Sequence, residues 1–137
     1  MPIIIPGIPI AKKRPRFARR GKFVTTYSDQ QTEEGRFYLE AKQQICCKAL
    51  NGTPVHIKLT FEMPRPKSHY GTGRNAGKLK PSAPEEHTSK PDLDNLIKFV
   101  FDCLNGLAWV DDTQVIGMSA EKIYALDGEP KTIIGIR

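Results

Sequence analysis

The fold is decided by the stretch Val55-His56-Ile57-Lys58-Leu59-Thr60-Phe61-Glu62-Met63, in which apolar and polar side chains alternate without a break. This period of two is that of a half-buried β-strand, as found in antiparallel sheets that have one wet face. The apolar side chains share the buried face, and His56 and Glu62 lie on the wet face. We therefore interpret His56 as a surface residue and not as a metal ligand.

Apolar residues at helical spacing predict two helices, one over residues 29–50 and one over residues 92–106. The first is opened by Ser28-Asp29-Gln30-Gln31, which matches the capping box S-x-x-Q. Prolines and glycines divide the rest of the chain. We predict strands at 2–10 (an edge strand, because of its prolines), 23–27, 114–125 and 131–136, loops at 11–22 and 64–89, and a turn at Asp127-Gly128-Glu129-Pro130.

The second predicted helix carries more apolar surface than one face requires. Beside its main apolar stripe, Phe99, Phe101 and Cys103 widen the apolar surface. Two interpretations remain open: a second packing surface such as a subunit interface, or an ordinary, well-buried helix. Asp102 falls opposite the apolar stripe and is interpreted as solvated.

Composition describes one basic domain, residues 1–137, with a formal net charge of +6 and a sequence pI of about 9.3. This charge favours a polyanionic partner, although a merely soluble basic protein has the same composition. The three cysteines form no disulfide framework and fit a reducing cytoplasm, with Cys46 and Cys47 interpreted as small buried hydrophobes of the first helix. The sequence lacks a signal peptide and an apolar run of membrane-spanning length.

Basic residues concentrate in two segments, 12–22 and 65–80, that contain no acidic side chain. The second includes a glycine-rich stretch, Gly71–Leu79, that superficially suggests a P-loop. Thr72 stands where the first glycine is required and Leu79 where Ser or Thr is required, so we exclude nucleotide hydrolysis. A loop as long as 64–89 is usually functional or disordered.

Two pairs of carboxylates and a lysine stand out between residues 92 and 112: Asp92 and Asp94, Asp111 and Asp112, and Lys98. Clustered carboxylates repel one another, and an oxygen-ligated divalent cation such as Mg²⁺ removes that repulsion. Each residue also has a structural interpretation: Asp92 as a helix N-cap, Asp94 as the partner of Lys98, and the other two as an acidic turn. Asp111 and Asp112 reach the start of the helix only through tertiary folding.

Three motifs together resemble the signature of the RusA-type Holliday junction resolvases of bacteria and their phages. They are Lys90-Pro91-Asp92-Leu93-Asp94-Asn95-Leu96-Ile97-Lys98, Phe101-Asp102-Cys103-Leu104-Asn105 and Trp109-Val110-Asp111-Asp112-Thr113-Gln114-Val115. The stretches Gly7–Phe17 and His87-Thr88 are similar to phage-type members. The pairing of D-x-D-N-x-x-K with D-D-x-Q-V is specific, whereas either half alone is weak.

The resemblance implies a small α/β (α+β) subunit with a mixed, largely antiparallel sheet and two main helices. It implies a homodimer that cuts four-way DNA junctions with Mg²⁺, or with Mn²⁺ in its place. The implied catalytic residues are Asp92, Asp94, Asp112 and Lys98, and the implied metal ligands are the same aspartates together with Asp111. The implied setting is the cytoplasm of a bacterium or of a phage-infected host, in DNA recombination or repair.

The basic segments are predicted to hold phosphates by charge without reading the base sequence. The predicted DNA-binding residues are Lys12, Lys13, Arg14, Arg16, Arg19, Arg20, Arg65, Lys67, Arg74, Lys78, Lys80 and Lys90. Two alternatives stay open. One is a non-catalytic nucleic-acid-binding module whose carboxylates are structural, and the other is a nuclease for other branched DNA such as flaps.

Overall fold

The computed structural model describes residues 2–13, 16–20, 23–27 and 31–137. Two helices and a four-stranded sheet make up most of this α+β fold, and a separate hairpin precedes the first helix. The elements are β1 Ile3–Pro6, β2 Arg16–Arg20, β3 Phe23–Tyr27, α1 Gln31–Gln44, β4 Val55–Met63, α2 Leu93–Leu104, β5 Val115–Tyr124 and β6 Lys131–Ile136.

The main sheet has the strand order β1-β6-β4-β5. Its β1–β6 and β6–β4 pairs are antiparallel and its β4–β5 pair is parallel, which confirms a mixed, largely antiparallel sheet. β1 lies at an edge, as its prolines predict. β5 and β6 are consecutive in the chain but not neighbours, because β4 lies between them.

β4 is an inner strand of the sheet, and its apolar side chains are buried. Ile57, Leu59 and Phe61 are buried in the core against the helices. Glu62 was predicted on the wet face, and that prediction is wrong, since only 4% of the residue is exposed. The reason is its cross-strand neighbour in β6: Lys131 lies opposite Glu62, with its Nζ 3.5 Å from Glu62 Oε2.

α2 is an ordinary, well-buried helix. Phe99 packs edge-on against Phe37 of α1, with ring centroids 5.5 Å apart. Phe101 packs against the buried Trp109, with centroids 5.8 Å apart. The apolar surface beyond the main stripe is therefore covered by side chains of the same chain. These contacts favour the interpretation of α2 as an ordinary, well-buried helix over a second packing surface.

Three further local predictions are wrong. The predicted loop 11–22 contains strand β2, which pairs with β3 in an antiparallel hairpin. The first helix ends at Gln44 instead of residue 50, because the Ala49 N–H donates to Ala108 O (2.9 Å) and not to a carbonyl one turn earlier. Cys46 and Cys47 are consequently exposed, not buried. The capping-box residues 28–30 lie outside the described residues.

Candidate active site at the two ends of the second helix

The N-terminal end of α2 presents three exposed charged side chains, Asp92, Asp94 and Lys98. Asp92 is the N-cap residue, yet its side chain makes no capping hydrogen bond. Asp94 and Lys98 form no ion pair in the described part of the chain. The structural interpretations that the sequence allowed for these residues are therefore not realised, and their charges are free to act on a ligand.

Two contacts fix this end of α2 in place. Lys122 of β5 extends its Nζ to Pro91 O (2.7 Å) and Ser89 O (2.6 Å), directly before Asp92. The Lys12 N–H donates to Asn95 O at 2.9 Å. Lys122 was missed by the sequence reasoning. The available signal was a lysine in the apolar phase of β5, between Ala120 and Tyr124.

The other two aspartates lie in a short 3₁₀ turn, Asp112–Gln114, that leads into β5. Asp111 caps this turn: its side chain accepts from Thr113 N (3.3 Å), and its N–H donates to Gln114 Oε1 (3.0 Å). Asp112 Oδ1 accepts from Trp109 Nε1 at 2.7 Å. Asp112 Oδ2 has no hydrogen-bond partner within the described ranges, so Asp112 keeps one carboxylate oxygen for other contacts while Asp111 serves the local fold.

Gln114 is a second residue that the sequence reasoning missed. Its side chain is buried, and its Nε2 donates to Leu50 O (2.7 Å) and Thr53 O (3.0 Å). These contacts tie the Asp111–Asp112 turn to the segment that leads into β4. The glutamine of the D-D-x-Q-V motif therefore has a positional role.

Within one chain the two aspartate pairs are far apart. α2 has 12 residues, so Asp92 is about 18 Å from the other end of the helix, where the turn containing Asp112 begins. A comparable separation is seen along β5: Lys122, near the end of the strand, holds the Asp92 end of the helix, and Gln114, directly before the strand, holds the Asp112 turn, roughly 26 Å away. Accordingly, the described residues contain no group of three or more His, Cys, Asp or Glu side chains placed to hold a metal ion.

Comparison with known proteins identifies the family. Residues 6–137 match the family described as endodeoxyribonuclease RusA. The chain belongs to the RusA family. It is also similar to the uncharacterized protein YqaN of Bacillus subtilis (strain 168), with 33% identity over 136 residues that cover 96% of this chain and 91% of YqaN. The resemblance drawn from the sequence motifs is thereby confirmed over nearly the whole chain.

Two basic residues of this RusA-family chain that were predicted to bind DNA make contacts inside the fold, and the first is Lys12. Its Nζ lies 2.9 Å from Glu34 Oε1 and 3.0 Å from Asp102 Oδ2. The hydrogen bond to Glu34 raises the pKa of the Lys12 ammonium, and Asp102 adds to the effect. Asp102, interpreted from sequence as solvated, is half exposed and paired.

The second is Arg65, which attaches the long loop 64–89 to the body of the protein. Its Nη1 donates to Pro84 O at 2.7 Å, and its guanidinium lies 5.1 Å from the centre of the Tyr124 ring. His69 and His87 pack edge-on against the same ring, with centroids 4.7 and 5.0 Å away. Burial lowers the pKa of His87. The loop is therefore anchored on the end of β5, beside the start of α2.

The other basic residues of this loop, and Lys90 directly after it, are available to a ligand. Within the ranges that the structure describes, Lys67, Arg74, Lys78, Lys80 and Lys90 are exposed and form no ion pair. Backbone hydrogen bonds such as Gly71 N to Lys78 O (2.9 Å) fold the loop into a defined lobe. The part of this lobe formed by residues 65–80 carries positive charge and no acidic side chain.

The N-terminal basic residues are described only in part. Lys13 is exposed, and Arg16, Arg19 and Arg20 lie on β2, whose side chains are outside the described structure. Arg14 lies outside the described residues. Neither of the helices in the described ranges has the length and apolar character needed to cross a membrane.

Proposed function

We propose that this protein is a Mg²⁺-dependent endodeoxyribonuclease that resolves Holliday junctions by paired, symmetric nicks and that works as a homodimer. Membership of the RusA endodeoxyribonuclease family supports the nuclease chemistry. The observation that carries the proposal is the exposed Asp92-Asp94 pair, whose side chains contribute no hydrogen bond or ion pair to the described fold. We expect the protein to act in the cytoplasm of a bacterium or of a phage-infected cell.

The donor set fits a hard divalent cation. Mg²⁺ keeps several waters and binds through one or two carboxylates together with substrate phosphates, and Mn²⁺ accepts the same oxygen ligands. Asp92, Asp94 and Asp112 would hold the ion, with Asp111 at its periphery because the side chain of Asp111 already caps the turn. When bound, such an ion lowers the pKa of a coordinated water and neutralises charge on the scissile phosphate.

Residues of the chain supply the remaining chemistry. Lys98 lies one helical turn after Asp94 and is exposed on the same helix, so its ammonium faces a phosphate held at Asp94. Because it has no internal ion pair in the described part of the chain, it can stabilise the negative charge that develops on the phosphate. Trp109 Nε1 holds the Asp112 carboxylate in one orientation and leaves Oδ2 for the ion.

A second copy of the chain completes the site in this proposal. Because about 18 Å of helix separates Asp92 from the other end of α2, one chain does not bring Asp112 to Asp94. A two-fold dimer offers the partner's Asp112 to the Asp92-Asp94 pair and, by symmetry, forms two equivalent sites. Two such sites match two symmetric nicks in a four-way junction.

The positive lobe formed by residues 65–80, together with Lys90, would hold the arms of the junction. Such contacts fix the position of DNA by charge and carry no sequence information. Lys12 and Arg65 act within the fold instead. We assign phosphate contacts to Lys67, Arg74, Lys78, Lys80 and Lys90, and retain Lys13, Arg14, Arg16, Arg19 and Arg20 as candidates.

A substrate panel tests the function. Synthetic four-way junctions, flaps and linear duplexes are incubated with the protein, with and without Mg²⁺, and both nicking and binding are measured on gels. The proposal predicts paired nicks in the junction only when Mg²⁺ is present. Binding without nicking in either condition would identify a binding module, and preferential cutting of flaps would identify a nuclease for another branched substrate.

A further inference from the structure

β5 is an edge strand of the main sheet, and its outer side is only partly covered. Tyr124 N donates to Glu85 O (2.8 Å), and His87 N donates to Lys122 O (3.2 Å), so the long loop pairs with the last residues of the strand. From residue 115 to residue 121 the outer side of β5 has no backbone partner in the described part of the chain. A row of unpaired donors and acceptors is a template for another strand.

The free part of this edge exposes two large apolar side chains. Ile116 and Met118 are 64% and 46% exposed. Single-chain proteins usually protect such edges with lysines, prolines or short strands. The opposite edge of the same sheet is protected in this way, since β1 has four residues and ends in Pro6. β5 has one irregularity, a register shift beside Ile116. From Gly117 onward its pairing with β4 is regular, so this part of the edge is not protected by a bulge.

We propose that two copies of this chain dimerise by antiparallel pairing of their β5 edges about a two-fold axis at Met118; this inference rests on the homodimer of the proposed function. A two-fold axis pairs identical strands in opposite directions. Backbone groups of alternate residues point to the same side of a strand. Because those of Lys122 and Tyr124 point outward, those of Met118 and Ala120 do so as well. Met118 is also the midpoint of the free stretch.

The pairing creates no conflict of charge. Between residues 115 and 121 the only charged side chain is that of Glu121. Antiparallel pairing about Met118 places Glu121 opposite the partner's Val115, so the two glutamates do not meet. The exposed Met118 side chain packs against the partner's Met118 on the same face of the joined sheet.

This arrangement brings the separated aspartates together. Asp112 precedes Met118 by six residues, so after the two-fold rotation the partner's Asp112 lies beyond the Lys122 end of the first strand. Lys122 holds Pro91 O, and Asp92 follows immediately. The β5 edge thus delivers the partner's Asp112 to the end of α2 that carries Asp92 and Asp94.

A cysteine crosslink tests the interface. The exposed Cys46 and Cys47 are first replaced by serine, which leaves only the buried Cys103. Met118→Cys is then introduced and oxidised. Directly opposed residues in a hydrogen-bonded antiparallel pair have Cα atoms about 5.5 Å apart, within the roughly 4.4–6.8 Å range of disulfides. We expect a covalent dimer on a non-reducing gel, whereas Ile4→Cys, exposed on the opposite edge, should stay monomeric on that gel.

A charge-insertion variant gives an independent readout by sedimentation. The wild type should sediment as a dimer, Met118→Lys should fall to half that mass with an unchanged circular dichroism spectrum, and Ile4→Lys should remain a dimer. This interface would be overturned if Met118→Lys still sedimented as a dimer, or if the wild type were a dimer but Met118→Cys formed no crosslink. Either result would leave the nuclease proposal standing. If Met118→Cys forms the crosslink but the wild type never nicks junctions, the interface is supported and the nuclease proposal is refuted. A wild type that is monomeric with junction DNA bound would overturn the interface.

Discussion

The two ends of α2 carry aspartates of the same motif set in opposite structural situations. At the start of the helix, Asp92 and Asp94 are exposed and make no side-chain contact that supports the described fold. Near the other end, Asp111 caps a turn and Asp112 accepts a hydrogen bond from the buried Trp109. The pair at the start of the helix makes no side-chain contact within the described fold, whereas the pair near the other end does, and substitutions at the two ends should therefore have different consequences.

The largest effect is expected at the start of α2. Asp92→Asn and Asp94→Asn should each reduce the nicking rate by roughly 100-fold or more, because an amide is a poor ligand for Mg²⁺ and metal catalysis contributes several kcal/mol. Thermal unfolding should be unchanged, since neither side chain takes part in the described fold. Junction binding in a gel shift should stay near the wild-type level. Undiminished nicking by Asp94→Asn would remove this residue from the metal site.

At the other end, activity and stability should change together. Asp112→Ala leaves the buried Trp109 N–H without an acceptor, at a cost of about 1–3 kcal/mol in the free energy of unfolding. Asp112→Asn keeps an oxygen for Trp109 and should lose nicking with little loss of stability. Asp111→Asn should be the mildest of these for nicking. Urea denaturation together with nicking rates measures both quantities, and an Asp112→Ala protein as stable as the wild type would contradict the comparison.

Lys98 lies near the start of α2, on the same exposed end as Asp92 and Asp94. Lys98→Ala should lower the single-turnover nicking rate by roughly 100-fold, the usual cost of removing one charge-stabilising group, and should change junction affinity much less. Unfolding should be unaffected, because Lys98 has no ion pair within the described structure. Lys48→Ala, at another exposed lysine, is the matched control. An unchanged rate constant at saturating enzyme would exclude a role in the chemical step.

The smallest effects should come from the basic residues. Alanine substitution of Lys67, Arg74, Lys78 or Lys80 should reduce the log–log salt slope of binding by about 0.9 for each phosphate that the side chain neutralises on duplex arms. Lys12→Ala should leave that slope unchanged and reduce stability by up to about 1 kcal/mol, because its ion pairs are partly exposed. Fluorescence anisotropy over a range of salt concentrations decides this. If Lys12→Ala reduced the log–log salt slope of binding, Lys12 would be counted among the residues that contact DNA.

Local patterns in the sequence predicted much of this molecule. The alternation of residues 55–63 specified the central strand, and the apolar spacing of α2 placed that helix to within two residues at each end. Both signals are strong because burial imposes a period on the sequence. The end of α1 was not predictable in this way, because the Ala49 N–H bonds to Ala108, far away in the chain.

The residue types of the candidate site were also predictable, but not their arrangement. Charge and motif pointed to Asp92, Asp94 and Lys98, whereas the distance to Asp112 depends on how α2 runs along β5. The supporting roles of Lys122 and Gln114 arise from tertiary contacts. The internal pairing of Lys12 likewise depends on Glu34 and Asp102, which approach it only in the folded chain.

Mixing two inactive variants tests the central claim, that each site combines the start of α2 from one chain with Asp112 from the other. Asp94→Asn and Asp112→Asn proteins are unfolded together and refolded, so that about half of the dimers contain one chain of each kind. In such a dimer one site carries both substitutions and the other carries neither. We predict recovery of about one quarter of the wild-type nicking, as single rather than paired nicks. A mixture as inactive as either parent would contradict the shared site.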